Sequence, residues 1–249
     1  MSTARIGIIL IGVKTSNAIN TVADASCLAF PPLFLLGTTV LEAAQPGYDR
    51  VASTISELVW GQSGWAQTAL FLAFAAALLL LAFKLRPATV PLAMAGLGFM
   101  IIAIFPTVAP GSHPTPGSQV HEVTAQGIAL LLPVACFSLA HTWRTDSNHR
   151  SIVTLSLAAS VIGLALNLAG FLAVYGDTEW IGAVERLVML NGLVWLELVS
   201  FHLWSIDHKA VAHRAPGIWL DTLIELIRAP GRRPVKVPMS TGDNLADRR

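Results

Sequence analysis

The chain has 249 residues, of which 54% are hydrophobic and 12% charged, and its mean hydropathy is +0.63. That balance excludes a disordered chain, a coiled coil and a secreted disulfide scaffold, and it argues against an ordinary soluble enzyme. Sixteen Lys and Arg against fifteen Asp and Glu leave a formal charge of +1, so bulk charge does not point to nucleic acid as a partner.

In chain order, residues 1–20 read as a cytoplasmic or interfacial lead-in. Ile6 to Val13 is a short apolar stretch ended by Lys14, with no small-x-small cleavage pattern close behind it, so no signal peptide is expected. A first span is placed at about 21–41, with Asp24 at its start and Pro31-Pro32 inside it. Pro46-Gly47 then reads as a turn and Asp49 as an N-cap. Val51, Ile55, Leu58 and Val59 recur at helical spacing and predict a short amphipathic helix, with Arg50, Ser53, Thr54 and Glu57 on its opposite stripe. A bilayer core takes about 20 apolar residues per helix, and further spans are placed at 65–83, 88–105, 123–143, 152–175 and 181–204. Pro133 predicts a kink in the fourth. The Pro- and Gly-rich stretch from Pro106 to Glu122 reads as an irregular loop, with His121 and Glu122 opening the fourth span. Residues 205–249 form a cytoplasmic tail with an amphipathic helix at about 217–228, suited to an anionic inner surface.

The expected fold is therefore all-α: a polytopic membrane bundle of six transmembrane helices. Taking alternate loops, Arg5, Lys14, Lys84, Arg86, Arg144, Arg150, Lys209 and Arg214 share one side, against Arg50 and Arg186 on the other. That asymmetry places both termini in the cytoplasm of a cell-membrane protein. Cys27 and Cys136 sit in apolar runs and are expected as buried thiols.

Inside the lipid, Ala159, Gly163, Asn167 and Gly170 share a stripe of the fifth span, a pattern for close helix packing with one cross-helix hydrogen bond. Asn191 and Glu197 mark the sixth span, and an intramembrane carboxylate is a functional candidate by default. His141 and His202 could clamp a haem, but without a second pair for transmembrane electron transfer no cofactor is expected, and no metal-ligand spacing is present.

On the outer side, His121 is the candidate general base or ligand, with Glu122 and Glu57 as supporting carboxylates. Arg186 is the candidate phosphate holder, or the answer to an acid such as Glu57 or Glu122, with Tyr48, Asp49 and Ser53 as further binding candidates.

Pro46-Gly47-Tyr48 followed by Ser53 to Leu58, then Phe105-Pro106-Thr107 with Gly117 to His121, resemble the DUF998 family of six-helix prokaryotic membrane proteins. The likeness runs from about Leu33 to Trp204 and implies a bundle whose distinctive residues cluster on the extracytoplasmic face. It supplies no reaction. Where the family often continues Phe-Pro-Thr with Asp, this chain has Val108.

The leading expectation is a non-catalytic lipid-binding or accessory protein, with membrane lipids and a membrane protein as partners. The alternative is an outer-leaflet lipid-modifying hydrolase or transferase using His121, and the third a small transporter. HExxH and GxSxG motifs are absent, and no internal repeat supports transport.

Overall fold

The structure is a computed structural model that describes residues 25–85, 88–176 and 179–228. The lead-in, Asp24, Arg86, Asp177 and the end of the tail lie outside the described residues. The chain divides into two compact units, Met1–Trp204 and Ser205–Arg249.

Six long helices, and no strand among the described residues, make up the fold. They are α1 (Ala25–Ala44), α2 (Gly64–Lys84), α3 (Thr89–Ile104), α4 (Pro116–Trp143), α5 (Arg150–Tyr175) and α6 (Ile181–Arg228). Five stretches are long and apolar enough to cross a membrane: α1, α2, α4, Ser147–Val174 and the Ile181–Ile206 part of α6. The third expected span, α3, is apolar but has 16 residues, a rise of about 24 Å against a hydrocarbon core of about 30 Å. This is a multi-pass membrane protein, and its surface says so: Phe83, Val123 and Val161 are 82%, 74% and 67% exposed. Water would not tolerate such a surface, whereas lipid tails match it.

Consecutive helices run antiparallel. The Phe34 ring of α1 lies 5.1 Å from Phe74 of α2, which packs edge-on to Phe99 of α3 at 4.8 Å. Between α3 and α4, a side chain at Gly98 would meet Ile128. Between α5 and α6, the Asn191 amide donates to the Ala159 carbonyl at 3.0 Å and the buried Trp195 indole to Ser156 at 2.9 Å.

The α4–α5 contact has a specific cause. Pro133 has no N–H, so the Ala129 carbonyl one turn back loses its helical donor. Asn167 of α5 supplies one at 2.8 Å, and Ser160 donates to the Pro133 carbonyl at 2.9 Å. Gly163 leaves room for the proline ring, which a Cβ there would strike at 2.7 Å. The expected small-residue stripe is thus the complement of a proline in the neighbouring helix. Cys27 and Cys136 are buried thiols, as expected.

Around residues 49–60 and 106–122, two boundaries differ from expectation. The helix after Asp49 is a 3₁₀ helix at Ile55–Trp60 rather than an amphipathic α-helix. Asp49 instead closes a turn, accepting from the amides of Val51 at 2.8 Å and Ala52 at 3.4 Å. Helix α4 begins at Pro116, seven residues before the expected span, because Thr115 caps it by accepting from the Ser118 amide at 3.1 Å. Proline is well suited to the first helical position, so His121 sits in the second turn of a helix and not at the end of a loop.

Candidate functional site

At one end of the bundle, the 3₁₀ helix packs against α2 and reaches the start of α6 through the Ile55 amide. Arg186, in the second turn of α6, ties these parts together. Its Nε donates to Glu42 at 2.9 Å, and one terminal nitrogen donates to the carbonyls of Ser53 at 2.9 Å and Gly182 at 2.8 Å. The other donates to the Tyr48 hydroxyl at 2.5 Å and lies 2.8 Å from Glu42. A guanidinium has five N–H groups, and all five are engaged within the chain.

Glu42 is 8% exposed, and its second oxygen meets Arg50 at 3.0 Å. The acid that answers Arg186 is therefore Glu42, in place of the expected Glu57 or Glu122. Helix α1 runs antiparallel to α2 and delivers its last turn to the first turns of α6. Tyr48 donates to the Thr54 carbonyl at 2.7 Å. Burial is the main cause that pushes its phenol up to about 12, against the lowering effect of Arg186. Gly182 lets α6 come this close, since a Cβ there would collide with the Ser53 carbonyl.

Of the expected binding residues, Arg186, Tyr48 and Ser53 are thus brought together, Ser53 through its carbonyl. Their polar atoms are used on one another, which makes this cluster a tie. Asp49 shapes the adjoining turn. Glu57 accepts from the backbone and hydroxyl of Thr54 at 3.0 and 3.1 Å, so this expected catalytic carboxylate caps the 3₁₀ helix. The Trp60 indole donates to the Thr107 carbonyl at 3.2 Å and binds this segment to the next loop.

Beside the tie lies a cavity of about 190 Å³. Its inner wall is apolar, with Phe34, Phe71, Phe99, Ile128, Leu132 and Leu166. Its polar lining includes His121, Glu122, Gln126, Asn167 and Glu185. His121 is 3% exposed. Its Nδ1 lies 2.7 Å from the Phe105 carbonyl; a carbonyl can only accept, so Nδ1 carries the proton and Nε2 holds a lone pair in the neutral ring. That Nε2 is buried and has no hydrogen-bond partner among the described residues. Glu185 accepts from the Ile55 amide at 2.6 Å through one oxygen. Of the three expected catalytic residues, His121 and Glu122 line the cavity and Glu57 does not; Glu185, which the sequence pattern does not single out, lines it as well.

The DUF998 family model, described as a protein of unknown function, matches residues 28–202. The chain belongs to the DUF998 family. The match takes in both the tie and the cavity of this DUF998 chain and leaves out its second unit. No curated protein matches the chain, and no solved structure does.

The opposite end of the DUF998 bundle holds a different cluster. His149 stacks on Trp143 with ring centroids 4.1 Å apart, and its Nδ1 lies 2.9 Å from His202 Nε2. His202 therefore meets His149, while His141 stacks on Phe137 at 6.0 Å, and the pair considered for a haem does not form. Among the described residues, no group of three or more His, Cys, Asp or Glu is placed to hold a metal ion. Glu197 keeps one oxygen buried without a hydrogen-bond partner among the described residues.

Proposed function

We propose that this protein binds a small apolar or amphiphilic molecule in the cavity between α4 and α6, as a lipid-binding or accessory protein of the cell membrane. One observation carries the reading: an apolar cavity lined by a histidine whose second nitrogen is uncommitted, next to a polar tie whose groups are fully paired. Ligand sites are concave and mostly apolar, with few polar groups that fix orientation, and unpaired buried polar atoms are costly unless something uses them.

Helix α3 is the sixth crossing, because its antiparallel contacts with α2 and α4 carry it from one end of the bundle to the other. Lys84, Arg144 and Arg150 lie at the His149 end and Arg50 and Arg186 at the cavity end, which supports cytoplasmic termini and an extracytoplasmic cavity.

The test uses the full chain in nanodiscs and 4-fluorobenzyl alcohol followed by fluorine NMR. A saturable bound signal at one per chain is expected, and Ala125→Phe, which fills the cavity from α4, abolishes it. A signal that survives Ala125→Phe contradicts the reading.

The spare nitrogen of His121 also favours a second reading, a lipid-modifying hydrolase or transferase with His121 as general base. The two separate on turnover. His121→Gln removes turnover of an ester-linked lipid if the protein is an enzyme, whereas a binding protein gives no such turnover in the natural chain.

A further inference from the structure

The polar atoms of the cavity point to the kind of headgroup it takes. Arg186, beside Glu185 in sequence, has no N–H to offer, since Glu42, Ser53, Gly182 and Tyr48 use all of them. No Lys or Arg lines the cavity among the described residues. Asn167 spends both amide hydrogens on the carbonyls of Ala129 and Gly163, each at 2.8 Å. It therefore presents an oxygen. His121 presents the Nε2 lone pair, and the Glu185 carboxylate has lone pairs beyond the one that accepts from Ile55. Ser56, Thr107 and Gln126 add neutral groups to the lining. The side chains of α4, α5 and α6 thus converge on the cavity as hydrogen-bond acceptors.

We propose that the cavity selects a single-chain amphiphile with a cationic, hydrogen-bond-donating headgroup, an alkylammonium, over one with an anionic headgroup. This rests on the cavity being a ligand site. An ammonium offers three N–H donors to three acceptors, and its charge is balanced by Glu185. A phosphate or carboxylate there would be desolvated beside a carboxylate with no cation free to meet it, a repulsive arrangement that excludes the wrong ligand. Size limits the chain. An apolar cavity of about 150 Å³ holds a benzene, so 190 Å³ accommodates one short chain or ring with its headgroup and not a two-chain lipid.

The experiment displaces 4-fluorobenzyl alcohol from the full chain in phosphatidylcholine nanodiscs with n-hexylammonium, n-hexanol or n-hexanoate, each at matched bilayer-partitioned concentration. Hexylammonium is expected to displace the probe at least tenfold better than hexanoate, with hexanol between them. Glu185→Gln retains an oxygen for the Ile55 amide and should cut the advantage of hexylammonium over hexanol at least threefold, and adding Glu122→Gln, which removes the other carboxylate of the lining, should bring hexylammonium down to the level of hexanol. Gln126→Lys, which adds a cation to the lining, should favour hexanoate over hexylammonium. The proposal is overturned if hexanoate competes as well as hexylammonium in the natural chain, or if none of these variants alters the ratio. If the probe itself gives no signal sensitive to Ala125→Phe, the cavity reading fails first, and the two failures are thereby distinguished.

Discussion

The tie around Arg186 and the cavity beside His121 are neighbours built from similar polar residues, yet their hydrogen bonding differs completely. In the tie, each guanidinium N–H, both oxygens of Glu42 and the Tyr48 hydroxyl have partners in the chain. In the cavity, His121 Nε2 is buried and idle. A satisfied cluster holds elements in place, whereas an unsatisfied one has capacity left for a ligand. An arginine among carboxylates suggests a phosphate site by residue type alone, and the count of its donors decides otherwise.

The largest effect should come from breaking the tie. Arg186→Ala leaves Glu42 buried beside Arg50 alone, a loss of about 3–5 kcal/mol by analogy with other broken buried pairs, read as a large drop in Tm in detergent. Gly182→Ala attacks the same contact through the backbone and should cost about 1–3 kcal/mol, with the 51–53 turn displaced and probe binding in the cavity weakened. A binding site independent of the tie would keep its affinity in both variants.

The α4–α5 contact sharpens the comparison within the lipid. Asn167→Leu strips the donor from the Ala129 carbonyl and should cost about 1–3 kcal/mol. On a Pro133→Ala background, which returns a helical N–H to that carbonyl, the same substitution should cost less by about 1 kcal/mol. Equal costs in the two backgrounds would show that Asn167 does not serve the proline.

Tyr48 gives a pH signature to the tie. Its folded pKa lies above its unfolded value of 10.0, at about 12, so the neutral phenol contributes stability that is present below pH 10 and lost as pH rises toward 12. Tyr48→Phe should flatten that alkaline decline in a series of thermal melts. An unchanged slope would mean that the phenol does not titrate with unfolding.

Hydropathy made the helices legible because lipid demands long apolar runs with internally satisfied backbones. Pro133 and the Gly163–Asn167 stripe were also visible, each as a local signal, though their dependence on one another appears only when α5 packs on α4. Thr115-Pro116 and Thr54 with Glu57 are helix-start signals within the sequence, but the surrounding Pro, Gly and Asp49 masked them. The partner of Arg186 was not legible. Glu42 lies 144 positions away, and several outer acids were equally eligible by charge. Glu185 was hidden for the same reason, since its cavity position depends on the rotation of α6.

The most direct measurement is a high-resolution structure of the full chain with 6-bromohexylammonium, in which the bromine reports where the chain end lies. Bromine signal is expected against Phe71, Phe99 and Leu132, with the ammonium toward His121 and Glu185. Bromine confined to the lipid-facing surface, with the cavity empty or holding an anion, would contradict it.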